Sequence, residues 1–253
     1  MYTDKQHREV FHLLFLERLL KSTDPKLYAV KGGCNLRFFF YSPRYSEDLD
    51  LDVFGGSVET LKKNSYKILT DPAFIRNLNS FGIDRLIIND PNKAKHSTTT
   101  QRFRCQLVNQ AGESFPTKVE FSRRSQTVAG VVSESINPEL LHTYKRRSFA
   151  SPHYDAIHAA LQKIDALANR TEVQARDPFD LYLLVQSGAV KSIHIKELDR
   201  DTRTKATENL LQINFEYFHD QVVQYLEHEV REEYSDKNQW QTIQNKLLEL
   251  LHD

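Results

Sequence analysis

The stretch from residue 31 to residue 52 constrains this chain more than any other, and it reads KGGCNLRFFFYSPRYSEDLDLD. It contains a Gly-Gly pair, a short apolar segment and a strand-like run with an acid at every second position. A strand sends alternate side chains to opposite faces and rises about 3.3 Å per residue. Asp48, Asp50 and Asp52 should therefore share one face of a strand, with the apolar residues between them facing the core.

These aspartates predict a cation site. Carboxylates crowded on one strand face repel each other unless a cation lies between them. Two hard oxygen ligands can hold Mg²⁺ (or Mn²⁺) while leaving room for substrate phosphates. The pattern therefore indicates phosphoryl transfer. The alternative is an edge strand whose exposed charges prevent aggregation.

The pair Gly32-Gly33 favours the first interpretation. It follows the apolar run 27–30 and precedes a predicted short helix at 34–41. Glycine lets backbone N–H groups approach a phosphate closely, and the start of a helix adds partial positive charge. A strand, a Gly-Gly turn, a short helix and a D-x-D strand in succession are typical of a phosphate site.

The composition is that of an ordinary soluble protein. The chain has 253 residues, 40% of them hydrophobic, and its 34 basic residues balance its 34 acidic ones. A nucleic-acid partner would thus be held by local patches rather than by a global field. Cys34 and Cys105 lack metal-ligand spacing, the N-terminal sequence is not a signal peptide, and no apolar run reaches the roughly 20 residues that cross a bilayer. We expect a cytoplasmic protein with no membrane partner.

Hydrophobic periodicity predicts an α+β fold with two domains. Residues 1–145 would form a domain with a mixed β-sheet flanked by helices, and residues 146–253 a C-terminal helical bundle. Besides the acidic strand, the first domain is predicted to contain strands at 26–30, 84–90, 102–109 and 117–121, and helices at 5–21, at 34–41 and after Ser57 and Asp71. Segment 91–100 is predicted to be a loop. From about residue 137 onward the pattern predicts helices and no further strand.

Two later stretches supply further charged candidates. Glu120 lies on a predicted neighbouring strand and is a candidate third carboxylate, although an ordinary exposed glutamate is the alternative. Lys163 lies on a predicted helix, and Asp177 and Asp180 are spaced to share one face of the next helix. The alternative there is a helix cap with a surface ion pair.

Taken together, these motifs resemble the AbiEii-type nucleotidyltransferase toxins, which include the MenT toxins, of the polymerase-β-like nucleotidyltransferase superfamily. Four blocks carry the resemblance in the family's order: Lys31-Gly32-Gly33 with Leu36 and Arg37, then Arg44 to Asp50, then Lys163 with Ala166, Leu167 and Arg170, then Arg176-Asp177 with Phe179, Asp180 and Leu181. The chain departs from the family at Cys34, where Thr or Ser is usual. A thiol is a much poorer hydrogen-bond donor than a hydroxyl.

The resemblance implies a metal-dependent nucleotidyltransferase, the toxin of a bacterial toxin–antitoxin or abortive-infection system. Such an enzyme transfers a nucleoside monophosphate from a nucleoside triphosphate to an acceptor, here the 3′ end of tRNA, and releases pyrophosphate. A cognate antitoxin is the protein partner that the resemblance implies.

The resemblance also implies residue roles. Asp48 and Asp50 would hold the metal, and Glu120 would assist them or activate the acceptor. Asp177 or Asp180 would orient Lys163 or the base and sugar. The nucleotide itself would be bound by five residues: Lys31, Gly32, Gly33, Ser46 and Lys163.

The acceptor RNA has candidate contacts in three short basic clusters: Arg123-Arg124, Lys145-Arg146-Arg147, and Lys93 with Lys95 and His96 in the predicted loop. Ordinary solvated surface is the alternative. Two other functions stay open at this point. One is a nucleotide-binding or partner-binding module that has lost turnover because of Cys34, and the other is a metal-dependent nuclease.

Overall fold

The structure, a computed structural model, describes residues 2–90, 97–124, 127–191, 195 and 198–252. Most of the predicted loop, including Lys93, Lys95 and His96, lies outside the described residues. Internal contacts group the chain into two compact units, Met1–Phe39 with Tyr45–Tyr154, and Phe40–Arg44 with Asp155–Asp253. Within the described ranges, no helix is both long enough and apolar enough to span a membrane.

The first unit is organised by one mixed sheet of seven strands. They are β1 (Tyr28–Lys31), β2 (Leu49–Val53), β3 (Ile83–Ile88), β4 (Thr100–Asn109), β5 (Ser114–Ser122), β6 (Val131–Ser135) and β7 (Ala150–Tyr154). Their order across the sheet is β3-β4-β5-β2-β1-β7-β6. The pairs β2–β5 and β1–β7 are parallel and the other four are antiparallel. The acidic strand β2 is therefore central, with strands on both sides.

Among the described residues of this unit, five α-helices accompany the sheet: α1 (Asp4–Ser22), α2 (Gly32–Phe39), α3 (Val58–Leu69), α4 (Pro72–Asn79) and α5 (Pro138–Thr143). Helix α1 contacts β5, α3 and α4, and its Phe11 and Phe15 are fully buried. Ser57 caps α3 as its sequence predicts, since the hydroxyl accepts a 3.0 Å hydrogen bond from the Thr60 N–H. The predicted core face of β2 is confirmed, because Leu49 and Leu51 have no exposed surface.

The prediction that no strand follows residue 137 is wrong. Strand β7 pairs with both β1 and β6, and β6 is a further strand that the sequence did not indicate. Strand β7 reads ASPHY, in which four of the five residues are buried. It therefore lacks the alternation of apolar and polar residues that marks a half-buried strand. Burial on both faces, with Ser151 and His153 in the interior, hid it from pattern analysis.

The second unit is helical, as predicted. It contains α6 (Ala156–Asn169), α7 (Arg176–Gln186), α8 (Arg200–Gln212), α9 (Phe215–Gln221), α10 (Arg231–Tyr234) and α11 (Lys237–His252). Helix α6 packs against α7 and α8, and α11 packs against α7 and α8 as well. The ring of Trp240 stacks on that of Phe218 with 4.5 Å between ring centroids. Helix α7 ends before Gly188, whose φ of +76° is a conformation that glycine adopts readily.

A buried histidine links α1 to the sheet. The Nε2 atom of His12 lies 2.8 Å from the Thr117 hydroxyl on β5. Its Nδ1 atom lies 3.6 Å from the Cys34 sulfur on α2. Burial and, to a smaller extent, the positive charge of Arg8 together lower the pKa of His12 to about 3. His12 is therefore neutral in the folded protein at physiological pH.

This depressed pKa predicts an acid-dependent loss of stability. An unfolded chain protonates its histidine near pH 6.5, whereas folded His12 stays neutral until about pH 3. The stabilising contribution is thus complete above the unfolded pKa and is lost as the pH falls. Between about pH 7.5 and pH 5 this one residue should lower the free energy of unfolding by about 2 kcal/mol.

Urea unfolding at the two pH values measures this contribution. In His12→Gln the pH-dependent decrease should be smaller than in the unsubstituted protein by about 2 kcal/mol. The exposed His142→Gln variant is the matched control for removing a histidine. An equal pH-dependent decrease in His12→Gln and the unsubstituted protein would contradict the assignment.

Candidate active site

Carboxylates and cations meet where β2 lies between β1 and β5. In the strand register, Asp50 is opposite Lys31 on β1 and opposite Glu120 on β5. Residues that are paired across neighbouring strands share a face of the sheet. Glu120 therefore lies beside the aspartates on the same face, where its sequence pattern placed it.

Asp48 is held by both its side chain and its backbone. The Lys118 backbone N–H donates to Asp48 Oδ1 at 3.1 Å, and Lys118 Nζ lies 3.0 Å from Asp48 Oδ2. The Asp48 carbonyl accepts hydrogen bonds from Ser46 Oγ at 2.9 Å and from Cys34 Sγ at 3.2 Å. Burial raises the pKa of the Cys34 thiol, so the thiol keeps the proton that it donates. Ser46 and Cys34 thus position the backbone of a candidate metal ligand.

Asp50 is half-buried, and among the described residues no hydrogen bond or ion pair engages its carboxylate. Burial raises the pKa of this carboxyl group. Lys118 and Lys31 partly offset the increase, while the negative charges of Asp48 and Glu120 add to it. An additional cation at this carboxylate would relieve both the desolvation and the repulsion.

Glu120 is engaged by two cations. Arg102 on β4 donates to it from Nε at 2.7 Å and from Nη2 at 3.4 Å, and Lys118 Nζ lies 3.7 Å away. Although burial raises the pKa of Glu120, the hydrogen bond from Arg102 and the nearby positive charges lower it overall. Glu120 is therefore a charged partner of Arg102 rather than a free carboxylate.

Across the described ranges, no three His, Cys, Asp or Glu side chains are grouped as a complete protein metal site. A divalent ion at Asp48 and Asp50 would need further oxygen ligands from substrate or water. Mg²⁺ commonly binds in this way, through one or two carboxylates and substrate phosphates. The two aspartates fit a metal that is shared with a phosphate-bearing substrate.

The glycine turn lies against Asp50. Gly32 has a φ of +67°, and a Cβ atom at this position would lie 3.2 Å from Asp50 Oδ2. Both the backbone conformation and the close approach therefore favour glycine. Helix α2 begins at Gly32, so the N-terminal end of this helix lies beside Asp50.

Lys31 already has a carboxylate partner. Its Nζ atom lies 2.5 Å from Oδ1 of the buried Asp52. The Tyr154 hydroxyl donates to the other oxygen of Asp52 at 2.9 Å. Asp52, the third acid of the alternating run, thus serves an internal ion pair instead of joining Asp50.

A second cluster lies within the helical unit. Lys163 Nζ is 3.0 Å from Asp177 Oδ1 and 2.6 Å from Asp180 Oδ2. Arg44 donates two hydrogen bonds to Asp180, at 2.9 and 2.7 Å, and Arg170 donates one to Asp177 at 2.7 Å. Both aspartates are completely buried. Sequence spacing left open which of them orients Lys163, and both contact it.

The charges of this second cluster do not cancel. Three cations and two carboxylates leave one net positive charge. Burial raises the pKa of Asp180, but Arg44 and Lys163 hold it at about 2, so this carboxyl is ionised at neutral pH. The cluster therefore carries a surplus positive charge that attracts an anion.

Sequence reasoning missed the roles of Lys118, Arg102 and Arg44. Lys118 and Arg102 reach the carboxylates because β4 and β5 are paired in register. Polar residues at every second position of β4 predict that these side chains share one face, but the pattern does not show which carboxylates they contact. Arg44 pairs with Asp180 across 136 positions of sequence, a separation that no local pattern reveals.

The residues of the basic clusters predicted from sequence differ in their contacts: some have partners within the protein, and others are exposed. Arg123 donates to the carbonyls of Gly55 and Gly56 at 3.1 Å in each case. Arg146 pairs with Glu17 of α1. Arg124, Lys145 and Arg147 are exposed.

Comparisons with known proteins agree with this geometry. A family model described as the nucleotidyl transferase AbiEii toxin of type IV toxin–antitoxin systems matches residues 14–253. No curated protein sequence gives a significant match.

Solved structures share the fold at low sequence identity. MenT4, a nucleotidyltransferase toxin from Mycobacterium tuberculosis H37Rv, is 16% identical with a TM-score of 0.66, covering 100% of this chain and 86% of that chain. A putative nucleotidyltransferase from Helicobacter pylori is 17% identical with a TM-score of 0.55, covering 99% of each chain. JHP933 from Helicobacter pylori is 16% identical with a TM-score of 0.53, covering 100% of this chain and 97% of that chain. With a family match over most of its length and this fold, the chain belongs to the AbiEii nucleotidyltransferase toxin family of type IV toxin–antitoxin systems.

Proposed function

We propose that this chain is a metal-dependent toxin that transfers a nucleoside monophosphate from a nucleoside triphosphate to the 3′ end of tRNA. The acceptor hydroxyl bonds to the α-phosphorus, the bond from that phosphorus to the bridging oxygen breaks, and pyrophosphate leaves. The hydroxyl proton passes to water. One observation carries the proposal: the carboxylate of Asp50, without a partner in the described part of the chain, lies beside Asp48 and against Gly32.

Asp48 and Asp50 would hold Mg²⁺ or Mn²⁺, which when bound neutralises the charge that develops on the transferring phosphate. Two carboxylates, with oxygens of the triphosphate as further ligands, suit such an ion. Glu120 would orient the acceptor together with Arg102. Its pairing with Arg102 makes it a poor base, so we assign it positioning rather than proton abstraction.

The glycine turn would bind the triphosphate. The backbone N–H groups of Gly32 and Gly33 lie at the start of α2, where the helix dipole favours negative charge. Lys31 and Ser46 would join them, and Lys31 can do so while keeping Asp52 because its ammonium group has three N–H donors. Lys163 would neutralise phosphate charge, supported by the net positive charge of its cluster.

The expected partners follow from this reaction. The toxin would act in the cytoplasm, where nucleoside triphosphates and tRNA are present, and a cognate antitoxin would restrain it. The thiol of Cys34 does not favour the alternative of an inactive binding module. It donates to the Asp48 carbonyl alongside Ser46, so the position of Asp48 is preserved.

One prediction from this proposal concerns the proposed metal ligands. Asp48→Asn and Asp50→Asn keep the side-chain size but remove the charge that would hold the cation. Each should reduce transfer by at least on the order of 100-fold. The measurement is the label incorporated from each α-³²P-labelled nucleoside triphosphate into bulk tRNA with Mg²⁺. Asp84→Asn, on an exposed position of β3, is the matched control.

The outcomes of this assay separate the candidate functions. Label in tRNA with the unsubstituted protein and with Asp84→Asn only would support the proposal. Nucleotide binding without release of pyrophosphate would support a binding module instead. Shortened RNA would indicate a nuclease.

Another prediction from this proposal concerns Lys163. Replacing it with methionine should reduce kcat/KM for the nucleoside triphosphate on the order of 10- to 100-fold, because one cation facing the phosphates is lost. The fold should survive, since Asp177 keeps Arg170 and Asp180 keeps Arg44. Lys205→Met, an exposed lysine of α8, is the control.

Steady-state kinetics and thermal unfolding decide the outcome together. A folded Lys163→Met protein with unchanged kcat and KM would overturn the proposed role. Partial recovery in Lys163→Arg, which restores the charge, would separate a direct electrostatic role from packing.

A further inference from the structure

A cleft of about 410 Å³ lies beside Asp48 in the first unit. Ligand pockets typically measure about 300 to 1,000 Å³, so this cleft can take a group the size of a nucleotide. Its lining includes Asp48, Lys118, Arg104, Gln106 and Asn89. The last three have no role in the function proposed above.

The register of β4 and β5 orders the side chains on this face. Starting at the carboxylates, successive paired rows are Arg102 with Glu120, then Arg104 with Lys118, then Gln106 with Pro116. Rows two residues apart along a strand are about 6.6 Å apart. A row of cations therefore follows the carboxylate row, and an amide row follows the cations.

The cation row can bind a phosphate. Arg104 is exposed, and no hydrogen bond or ion pair engages its guanidinium among the residues that the structure describes. The ammonium group of Lys118 adds a second positive charge, and its pKa is raised overall by Asp48 although burial lowers it. Guanidinium groups bind phosphate oxygens through two parallel hydrogen bonds.

The amide row suits the base of a nucleotide. The Gln106 amide oxygen accepts from Ser114 at 3.1 Å, which leaves its NH₂ group directed elsewhere. Ile87 of β3 is paired with Gln106 and is 46% exposed. An amide and an exposed apolar side chain on one face can contact the edge and the plane of an unstacked base.

The strand order places this cleft opposite the glycine turn. Gly32 follows β1 on one side of β2, whereas Arg104 lies on β4, beyond β5 on the other side. In phosphoryl transfer the attacking and leaving oxygens lie roughly in line on opposite sides of the phosphorus. If the triphosphate occupies the glycine side, the acceptor approaches from the side of the cleft.

We propose that this cleft binds the single-stranded 3′ end of the acceptor RNA, an inference that rests on the proposed function. The terminal hydroxyl lies at Asp48, the phosphate of the terminal nucleotide lies on Arg104 and Lys118, and the preceding base lies at Gln106 and Ile87. Glu47 and Asp48, which also line the cleft, repel a phosphate, so the neutral hydroxyl is the group that reaches them.

The test measures RNA binding without any nucleoside triphosphate. Arg104→Ala should weaken the binding of a fluorescein-labelled single-stranded RNA by roughly tenfold and reduce the slope of log K against log salt by about 1. Arg104→Lys should restore most of the affinity, because it keeps the charge. Arg76→Ala, an exposed arginine of α4 that lies outside both the cleft lining and the basic clusters predicted from sequence, is the matched control and should bind normally.

Transfer kinetics complete the test. In Arg104→Ala, the KM for RNA should rise by a similar factor, while the KM for the nucleoside triphosphate stays within about twofold of the original. A raised KM for the nucleoside triphosphate alone would place the triphosphate in the cleft and overturn the inference. Weaker RNA binding in Arg76→Ala but not in Arg104→Ala would overturn it as well. Absence of transfer by the unsubstituted protein would contradict the proposed function, and the binding comparison would still decide the cleft.

Discussion

The site in the first unit depends on the electrostatic cost of placing carboxylates on a central strand. Four acids and three cations lie together there, which leaves one net negative charge: Asp48, Asp50, Asp52 and Glu120 with Lys31, Lys118 and Arg102. The cations pair with the other three acids, so Asp50 bears the imbalance. A half-buried charge without a partner is costly, whereas a bound cation removes the cost. The strand is therefore built with a place for one more positive charge.

The helical unit has the opposite imbalance. Lys163, Arg44 and Arg170 surround two buried carboxylates, and the surplus is one positive charge. Breaking a buried pair by removing one member typically costs about 3 to 5 kcal/mol, which explains why each aspartate has two cationic partners. One cluster thus favours a cation and the other an anion.

Local sequence pattern predicted the features that depend on neighbouring residues. The alternation around Asp50 gave the face of β2, and the Gly32-Gly33 pair gave the turn beside it. Helical spacing placed Asp177 and Asp180 on one face.

Features that depend on pairing between distant segments could not be predicted from local sequence pattern. The contacts of Lys118 with Asp48 and of Arg102 with Glu120 follow from strand register, which is set by tertiary packing. Strand β7 was missed for a related reason, since a strand buried on both faces has no period of two.

The turn before β2 shows how the core and the site depend on each other. The Thr117 hydroxyl donates to the Glu47 carbonyl at 2.7 Å, and Ser46 and Cys34 donate to the next carbonyl, that of Asp48. Because Thr117 uses its proton for Glu47, it accepts from His12 Nε2, which fixes the tautomer of a neutral imidazole. The backbone of the turn before β2 is therefore held by a chain of hydrogen bonds that begins on α1. Preorganised carboxylates are effective because they need no rearrangement as charge develops during the reaction. The buried histidine that makes folding sensitive to acid thus also supports the position of Asp48.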